Sequence, residues 1–510
     1  MNFMRTSFRF VSLLLLAGWC SLAARAEGAA PVTPDATPEA RELLAFLQSI
    51  SGKYTLTGQH NFPNVHGRNS EFAAKYIGKT PVIFGIDMGF AKAGDTDSYL
   101  ARPDIVKEAI EQYHKGAIVA ICWHAVPPTA DEPVTFRPLP GADPKKLESV
   151  QGRLLDEQFR EVLTPGTPLY RKWCAQVDVI AGYLKQLQDA HVPVLWRPYH
   201  EMNGGWFWWG GRTGRYSTVA LYRQIFDRFV NVDHLRNLIW VWSMDRIHKP
   251  SQEYASYFPG IHHVDVLALD VYDNDFAQTY YDKLVALSQG KPLALAEVGN
   301  PPSPEVLKRQ PLWTYYMTWA GMAHYTTHRQ YAKIMADPHI LNLDDPRYAE
   351  LTAPYRKACG LPPVSLARQP PDFSGTWVLD QDLSAFGPHG IGFAPAKLKV
   401  TETADLLKVL TTQIREYTSD LVTEDDLKLD GTETKSTFMN APRVTSARRS
   451  PSGDAIELHS TLTFPWGPPG KTYSADDTWT LQEGGQVLSV KRVSETPMGS
   501  QEMTMIFDRR

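Results

Sequence analysis

A chain of 510 residues is long enough for two or three domains with ample core. Hydrophobic residues make up 43% and charged residues 21%, ordinary values for globular protein. The formal net charge of −4 carries no electrostatic footprint for nucleic acid or for an anionic membrane surface. The chain holds 14 Trp and 22 Tyr, a supply that suits carbohydrate handling.

Residues 1–26 have the form of a secretory signal peptide. Arg5 and Arg9 supply the positive region, Phe10 to Leu16 open an apolar run, and Ala24-Arg25-Ala26 is an A-x-A cleavage site. Cleavage after Ala26 implies a secreted or periplasmic location. The bulk of Trp19 argues against lipoprotein processing at Cys20, which needs a small residue before the cysteine. No other stretch is long and apolar enough for a membrane helix. Cleavage would leave Cys122, Cys174 and Cys359, so at most one disulfide, with no spacing that suggests zinc. Residues 27–38, rich in Ala, Pro and Thr, are expected to form a disordered lead-in.

Residues 39–49 predict a helix, and from about 54 to 320 short apolar strands alternate with amphipathic helices. The strands are expected at Tyr54–Gly58, Pro81–Ile86, Ala117–Trp123, Pro193–Trp196, Leu238–Trp242, Val264–Asp270, Pro292–Ala296 and Thr314–Trp319. Several are near-continuous runs of Val, Ile, Leu and Ala, as buried parallel strands require. Eight such units predict a (β/α)8 barrel over residues 39–368, with a doubly wound open sheet as the other arrangement. No Gly-rich phosphate loop follows the first strand, which counts against the open sheet. In a barrel, active residues gather where strands end. Here His124, Glu201, Tyr272, Glu297 and Trp319 all follow such runs.

The stretch at 193–210, PVLWRPYHEMNGGWFWWG, concentrates the chemistry. An apolar strand breaks into Arg197, His200, Glu201 and Asn203, and then into Trp206, Phe207, Trp208 and Trp209. A lone glutamate after a strand is usually just solvated. Four polar groups packed against indoles imply a pocket, because charges are costly to bury unpaired. A pyranose ring presents an apolar C–H face that stacks on indole and hydroxyls that need charged or amide partners.

The segment Arg197-Pro198-Tyr199-His200-Glu201-Met202-Asn203-Gly204, followed by Trp206-Phe207-Trp208-Trp209-Gly210, resembles the acid/base segment of glycoside hydrolase family 26. The resemblance covers roughly residues 50–320. It implies a retaining β-mannanase with its catalytic glutamates on strands four and seven. Glu201 matches the acid/base, and Glu297, in Leu295-Ala296-Glu297-Val298-Gly299, matches the nucleophile. His200 and His124 match family histidines of the sugar site.

The residues themselves suggest the supporting roles. Tyr272 could donate to Glu297, Arg197 could order the nucleophile side, and Trp206 and Trp319 could stack on sugar beside the cleaved bond. Trp208, Trp209, Trp240 and Trp242 are expected in the core. His200-Glu201 lacks the second histidine of a zinc peptidase, since that position is Gly204, and no G-x-S-x-G elbow is present. The expected partner is a β-mannan or related polysaccharide, acted on by a monomer without metal or organic cofactor. A β-1,3-xylanase, a mixed-linkage β-glucanase and a non-catalytic glycan-binding barrel are the alternatives.

Prolines near 362–371 mark a boundary, beyond which the pattern changes. Residues 373–510 alternate in short stretches and predict an all-β barrel or sandwich. The expected strands are Gly375–Leu379, Lys397–Thr401, Leu406–Ile414, Ile456–Phe464, Asp477–Leu481, Val487–Val490 and Met503–Phe507. Phe373-Ser374-Gly375-Thr376-Trp377 resembles the opening strand of lipocalin-like barrels. With few tryptophans available for a sugar-binding face, this region is expected to be an appendage.

Overall fold

In the computed structural model, eight parallel strands close into a barrel. The structure describes residues 30–143, 145–365, 371–387, 391, 394–415, 418–451, 453–463, 472–482, 485–496 and 499–510. The signal segment, Cys20 and Trp466 lie outside the described residues. The strands are β1 (Gly58–Asn61), β2 (Ile83–Asp87), β3 (Ile118–Trp123), β4 (Val194–Pro198), β5 (Leu238–Asp245), β6 (Val266–Val271), β7 (Leu293–Val298) and β8 (Trp313–Thr318). Each pairs with the next, and Gln59 of β1 pairs with Thr318 of β8 to close the ring.

Every barrel strand is buried along its whole length, as strands shielded on both faces must be. The expected helices form at Pro38–Ile50, Pro168–Asp189 and Thr218–Asp227. In Pro168–Asp189 the buried residues Trp173, Val177, Ile180, Leu184 and Leu187 trace one stripe. Trp208, Trp209, Trp240 and Trp242 are fully buried, as expected.

Two expectations need correction. The first predicted strand breaks at Thr57: Thr55–Leu56 pairs with Ile340–Leu341, and the true β1 begins at Gly58. Its polar residues Gln59, His60 and Asn61 hide it from a hydrophobicity pattern, yet all three are buried. The lead-in at 27–38 is also ordered from residue 30 onward. The Val32 N–H donates to Asp265 at 2.8 Å, and Trp240 Nε1 donates to the Thr33 hydroxyl at 3.1 Å. The buried Asp265 carboxylate needs donors, and the lead-in backbone provides one of them.

Beyond the barrel, ten antiparallel strands form one sheet: β9 (Gly375–Ala385), β10 (Lys397–Glu402), β11 (Leu406–Gln413), β12 (Leu421–Lys428), β13 (Thr434–Phe438), β14 (Ala441–Arg449), β15 (Ala455–Thr463), β16 (Thr472–Gln482), β17 (Val487–Thr496) and β18 (Gly499–Arg509). Sequential neighbours pair throughout, except that β9 pairs with β18 and the run breaks between β12 and β13. There β12 and β14 are tied side by side, by Arg443 on Asp425 and by the Gly431 N–H on the Ala447 carbonyl just beyond. The sheet therefore curls into a barrel rather than splitting into a sandwich. The sequence pattern missed β12, β13 and β14, whose inward positions are largely polar. Trp377 and Trp479 lie in the core of this sheet, on no exposed face.

Candidate active site

The C-terminal ends of the barrel strands converge on one cleft. Asp87 ends β2, His124 follows β3, and Arg197, His200 and Glu201 come from the end of β4. Asp245 ends β5, while Asp270 and Tyr272 come from β6. Glu297 comes from β7, and Trp319 follows β8. A register shift between β6 and β7 sets Glu297, not Ala296, opposite Asp270. Such irregularities re-aim side chains beside active sites.

Arg197 is the hub. Its Nη2 donates to Glu297 Oε1, and its Nη1 donates to Asp270 Oδ2 at 3.0 Å. The Ser243 hydroxyl donates to the other Asp270 oxygen at 2.6 Å. The Tyr272 hydroxyl donates to Glu297 Oε2 at 2.7 Å, so both Glu297 oxygens are held. Opposite, Trp206 Nε1 donates to Glu201 Oε2 at 2.6 Å. One carboxylate oxygen from each of Glu201, Asp270 and Glu297 lies within 4.8 Å of the other two. Glu201 is 9% exposed and Glu297 is 3% exposed, so both are buried.

The two glutamates have different neighbours. Burial, then Glu297, Asp270 and Asp245, drive the Glu201 carboxyl well above its usual range, with Trp206 pulling the other way. Glu297 instead shares the Arg197 cation, whose charge is reinforced against its own burial by Glu297 and Asp270. Tyr272 is pushed up by burial and by Glu297, so its hydroxyl keeps the proton it donates.

The histidines form the opposite wall. His124 Nδ1 pairs with Asp87 Oδ2 at 2.8 Å, and its ring meets that of His200 edge-on at 4.5 Å. Burial works against a charged His124, but Asp87 outweighs it and holds the pKa above the usual value. The reverse holds at His200, where burial and Arg197 keep the imidazole neutral. His200 Nε2 lies 3.8 Å from Glu297, and its Nδ1 has no protein partner among the described residues. Trp319 stacks on His60 at 3.9 Å.

The backbone here is strained. Tyr199 and Glu201 have φ of 49° and 52°, in the left-handed region that residues with a Cβ rarely occupy. The Glu201 N–H is anchored on the Ser243 carbonyl at 3.1 Å. Glu201 is thus aimed by a turn that the chain would not adopt for its own sake.

All eight residues expected at the site are brought together, but Asp87, Asp270, Asp245 and His60 were given no role in the sequence reading, which marked Asp270 only as a strand end. The first three share the signal that found Glu297, an acidic residue ending an apolar strand. Among the described residues, two buried clusters have donor atoms close enough for a metal: Asp87, Cys122 and His124, and Glu201, Asp270 and Glu297. In the first, His124 and the Cys122 thiol already bond to Asp87. In the second, the Arg197 cation lies against two of the three carboxylates. Cys122, Cys174 and Cys359 are all free thiols.

The geometry has counterparts. A mannan endo-1,4-beta-mannosidase of Thermothelomyces thermophilus is 31% identical over 321 residues, covering 61% of this chain and 62% of that protein. Mannan endo-1,4-beta-mannosidase A of Piromyces sp. is 28% identical, and the match spans only 50% of its length. The chain thus spans half to three fifths of these relatives. Among solved structures, GH26A from Muricauda sp. MAR_2010_75 is 39% identical, with a TM-score of 0.56 over 61% of this chain and 98% of that one. A beta-mannanase from a symbiotic protist of the termite Reticulitermes speratus, complexed with gluco-manno-oligosaccharide, is 26% identical with a TM-score of 0.53, over 62% of this chain and 97% of that one. The model of glycosyl hydrolase family 26 matches residues 32–345, which is more than half of the sequence. The chain belongs to glycosyl hydrolase family 26.

Proposed function

We propose that this protein is an exported, retaining endo-β-1,4-mannanase with Glu297 as nucleophile and Glu201 as acid/base. The observation that carries the reading is the approach of the two carboxylates, one oxygen of each within 4.8 Å of the other, with the Glu201 carboxyl driven to hold its proton and Glu297 bonded to the Arg197 cation. Retaining enzymes hold the pair about 5–5.5 Å apart, whereas inverting ones leave room for water at about 6.5–9.5 Å. The named mannosidases and the gluco-manno-oligosaccharide complex among the relatives support mannan as the substrate.

A Glu297 oxygen attacks the anomeric carbon as the bond to the leaving sugar oxygen breaks. The proton on Glu201 passes to that oxygen. Water then attacks the glycosyl ester, gives its proton to Glu201, and frees the Glu297 carboxylate. Tyr272 and Arg197 orient Glu297. Trp206 orients Glu201, and together with Trp319 it supplies aromatic surface for sugar. His124 and His200 offer ring nitrogens to the sugar hydroxyls.

The test is a polysaccharide panel of galactomannan, glucomannan, linear mannan, β-1,3-xylan and mixed-linkage glucan, with Glu201→Ala and Glu297→Ala run beside the wild type. Mannooligosaccharides released by wild type alone support the reading. Full activity in Glu297→Ala sinks the mechanism, and release from xylan or glucan in place of mannan moves the substrate. Binding without turnover on every polymer returns the protein to a glycan-binding role.

A further inference from the structure

Arg197 and Tyr272 both hold Glu297, but they are held in different ways. Arg197 lies inside the barrel, fixed between two carboxylates. Tyr272 stands one residue past the end of β6, where the strand gives way to a loop. A ring carried on a loop keeps a 2.7 Å bond to a buried carboxylate only if the loop itself is held.

The Asp275 N–H donates to the Tyr272 carbonyl at 3.2 Å and closes a turn. The two central residues, Asp273 and Asn274, have φ of 58° and 57°. Two successive left-handed residues mark a turn of the I′ kind, which normally joins the paired strands of a hairpin and is supported by their ladder. Here the chain runs on instead to the helix at Gln278–Ser288. The support comes from the neighbouring strand. Arg246, the first residue after β5, donates from Nη1 to the same Tyr272 carbonyl at 2.7 Å. That nitrogen also lies 3.4 Å from Asp273 Oδ2 and 4.0 Å from Asp275 Oδ2. From the β7 side, Gly299 makes room for the ring, since a Cβ there would lie 3.1 Å from Tyr272 Cδ1. The Arg246 side chain is only 12% exposed, and its Nε is buried without a hydrogen-bond partner among the described residues. An unbonded buried donor costs stability, so the guanidinium sits where it serves the carbonyl rather than its own hydrogen bonds.

We propose that Arg246 is a positioning residue for the nucleophile, clamping the Tyr272–Asp275 turn so that the Tyr272 hydroxyl stays on Glu297. This role rests on the reading of Glu297 as nucleophile. The experiment is steady-state kinetics on galactomannan for Arg246→Met, Arg246→Lys, Asp273→Asn, Tyr272→Phe and the combination of Arg246→Met with Tyr272→Phe, together with a crystal structure of Arg246→Met. Losing a charged donor should lower kcat about 10-fold in Arg246→Met, with KM nearly unchanged. Arg246→Lys still offers a donor to the carbonyl and should recover most of the loss. In the Tyr272→Phe background the same Arg246→Met change should cost about twofold or less, because the hydroxyl it served is gone. Asp273→Asn loses the ion pair but suits the left-handed backbone, and should keep its kcat. In the crystal structure the Tyr272 hydroxyl should have left Glu297.

Equal losses from Arg246→Met in both backgrounds overturn the proposal. So does a loss in Asp273→Asn as large as that in Arg246→Met, which would make the ion pair the cause. A shifted alkaline limb of kcat/KM in Arg246→Met would route the effect through the adjacent Asp245 to Glu201 and overturn it too. Should Arg246→Met fail to fold, Arg246→Gln takes its place in the same cycle. A wild type that cleaves no polysaccharide sinks the proposed activity, and the crystal structure still decides the clamp: a Tyr272 that remains bonded to Glu297 without Arg246 overturns it.

Discussion

Glu201 is poised by opposing influences that single substitutions can separate. Burial and three neighbouring carboxylates favour its proton, and the Trp206 N–H favours its charge. Trp206→Phe keeps an apolar ring and removes that donor. The alkaline limb of kcat/KM, where the proposed acid loses its proton, should then move to higher pH. An unmoved limb with a raised KM would leave Trp206 as a stacking surface only. On the other carboxylate, Tyr272→Phe removes the donor to Glu297 Oε2. A hydrogen bond to a charged group is worth about 1.5–3 kcal/mol, so kcat should fall by roughly 10- to 100-fold. Steady-state kinetics on galactomannan would check it, and an unchanged kcat would remove Tyr272 from the mechanism. Tyr272 and Arg197 were given roles from the sequence, whereas Asp270 was marked only as a strand end. Its importance lies in sharing Arg197, and that partnership exists only once β4 and β6 face the same interior.

The turn after β4 works as a unit. Gly204 has no side chain because a Cβ there would sit 2.4 Å from the Trp206 ring. Gly204→Ala should push the indole away from Glu201 and reproduce the pH shift of Trp206→Phe. In the double variant the second change should add little, since both act on one bond. Additive losses would show that Gly204 matters for another reason. Elements rich in Val, Ile and Leu, such as β3 and β7, were legible because burial on both faces demands apolar residues. β1 was displaced in the sequence reading because Gln59, His60 and Asn61 are polar residues spent on the barrel mouth. β12, β13 and β14 escaped because Thr423, Asp425, Ser436, Arg443 and Thr445 interrupt their inward rows with polar side chains, which breaks the hydrophobic pattern.

At the scale of the molecule, the pair Asp87–His124 links β2 to β3 and ties stability to pH. Burial opposes charge on Asp87, but His124 and other donors bring its pKa down to about 2. The stabilisation this represents is present above the ordinary carboxylate value and is lost as pH falls towards 2. It amounts to roughly 2 kcal/mol. His124 is shifted upward, so its contribution is present below its ordinary value and is lost as pH rises through its folded value. Asp87→Asn should therefore cost most between about pH 4 and 6.5, and less outside that window. Melting temperatures of wild type and variant across pH would show this, and a uniform difference would contradict it.

The sequence by itself determined the (β/α)8 alternation, the all-β character of the C-terminal region, the glutamates Glu201 and Glu297, and the aromatic surroundings of the first. These are properties of spacing and of local chemistry, which a linear pattern records. Only the tertiary structure decided that the two carboxylates approach within 4.8 Å, that Arg197 bridges Glu297 and Asp270, and that Trp206 bonds to Glu201. The same is true of the second sheet, which curls into a barrel when β12 and β14 are brought side by side. Each of these depends on which strands become neighbours when a sheet closes, and closure brings together residues as distant in the chain as Gln59 and Thr318.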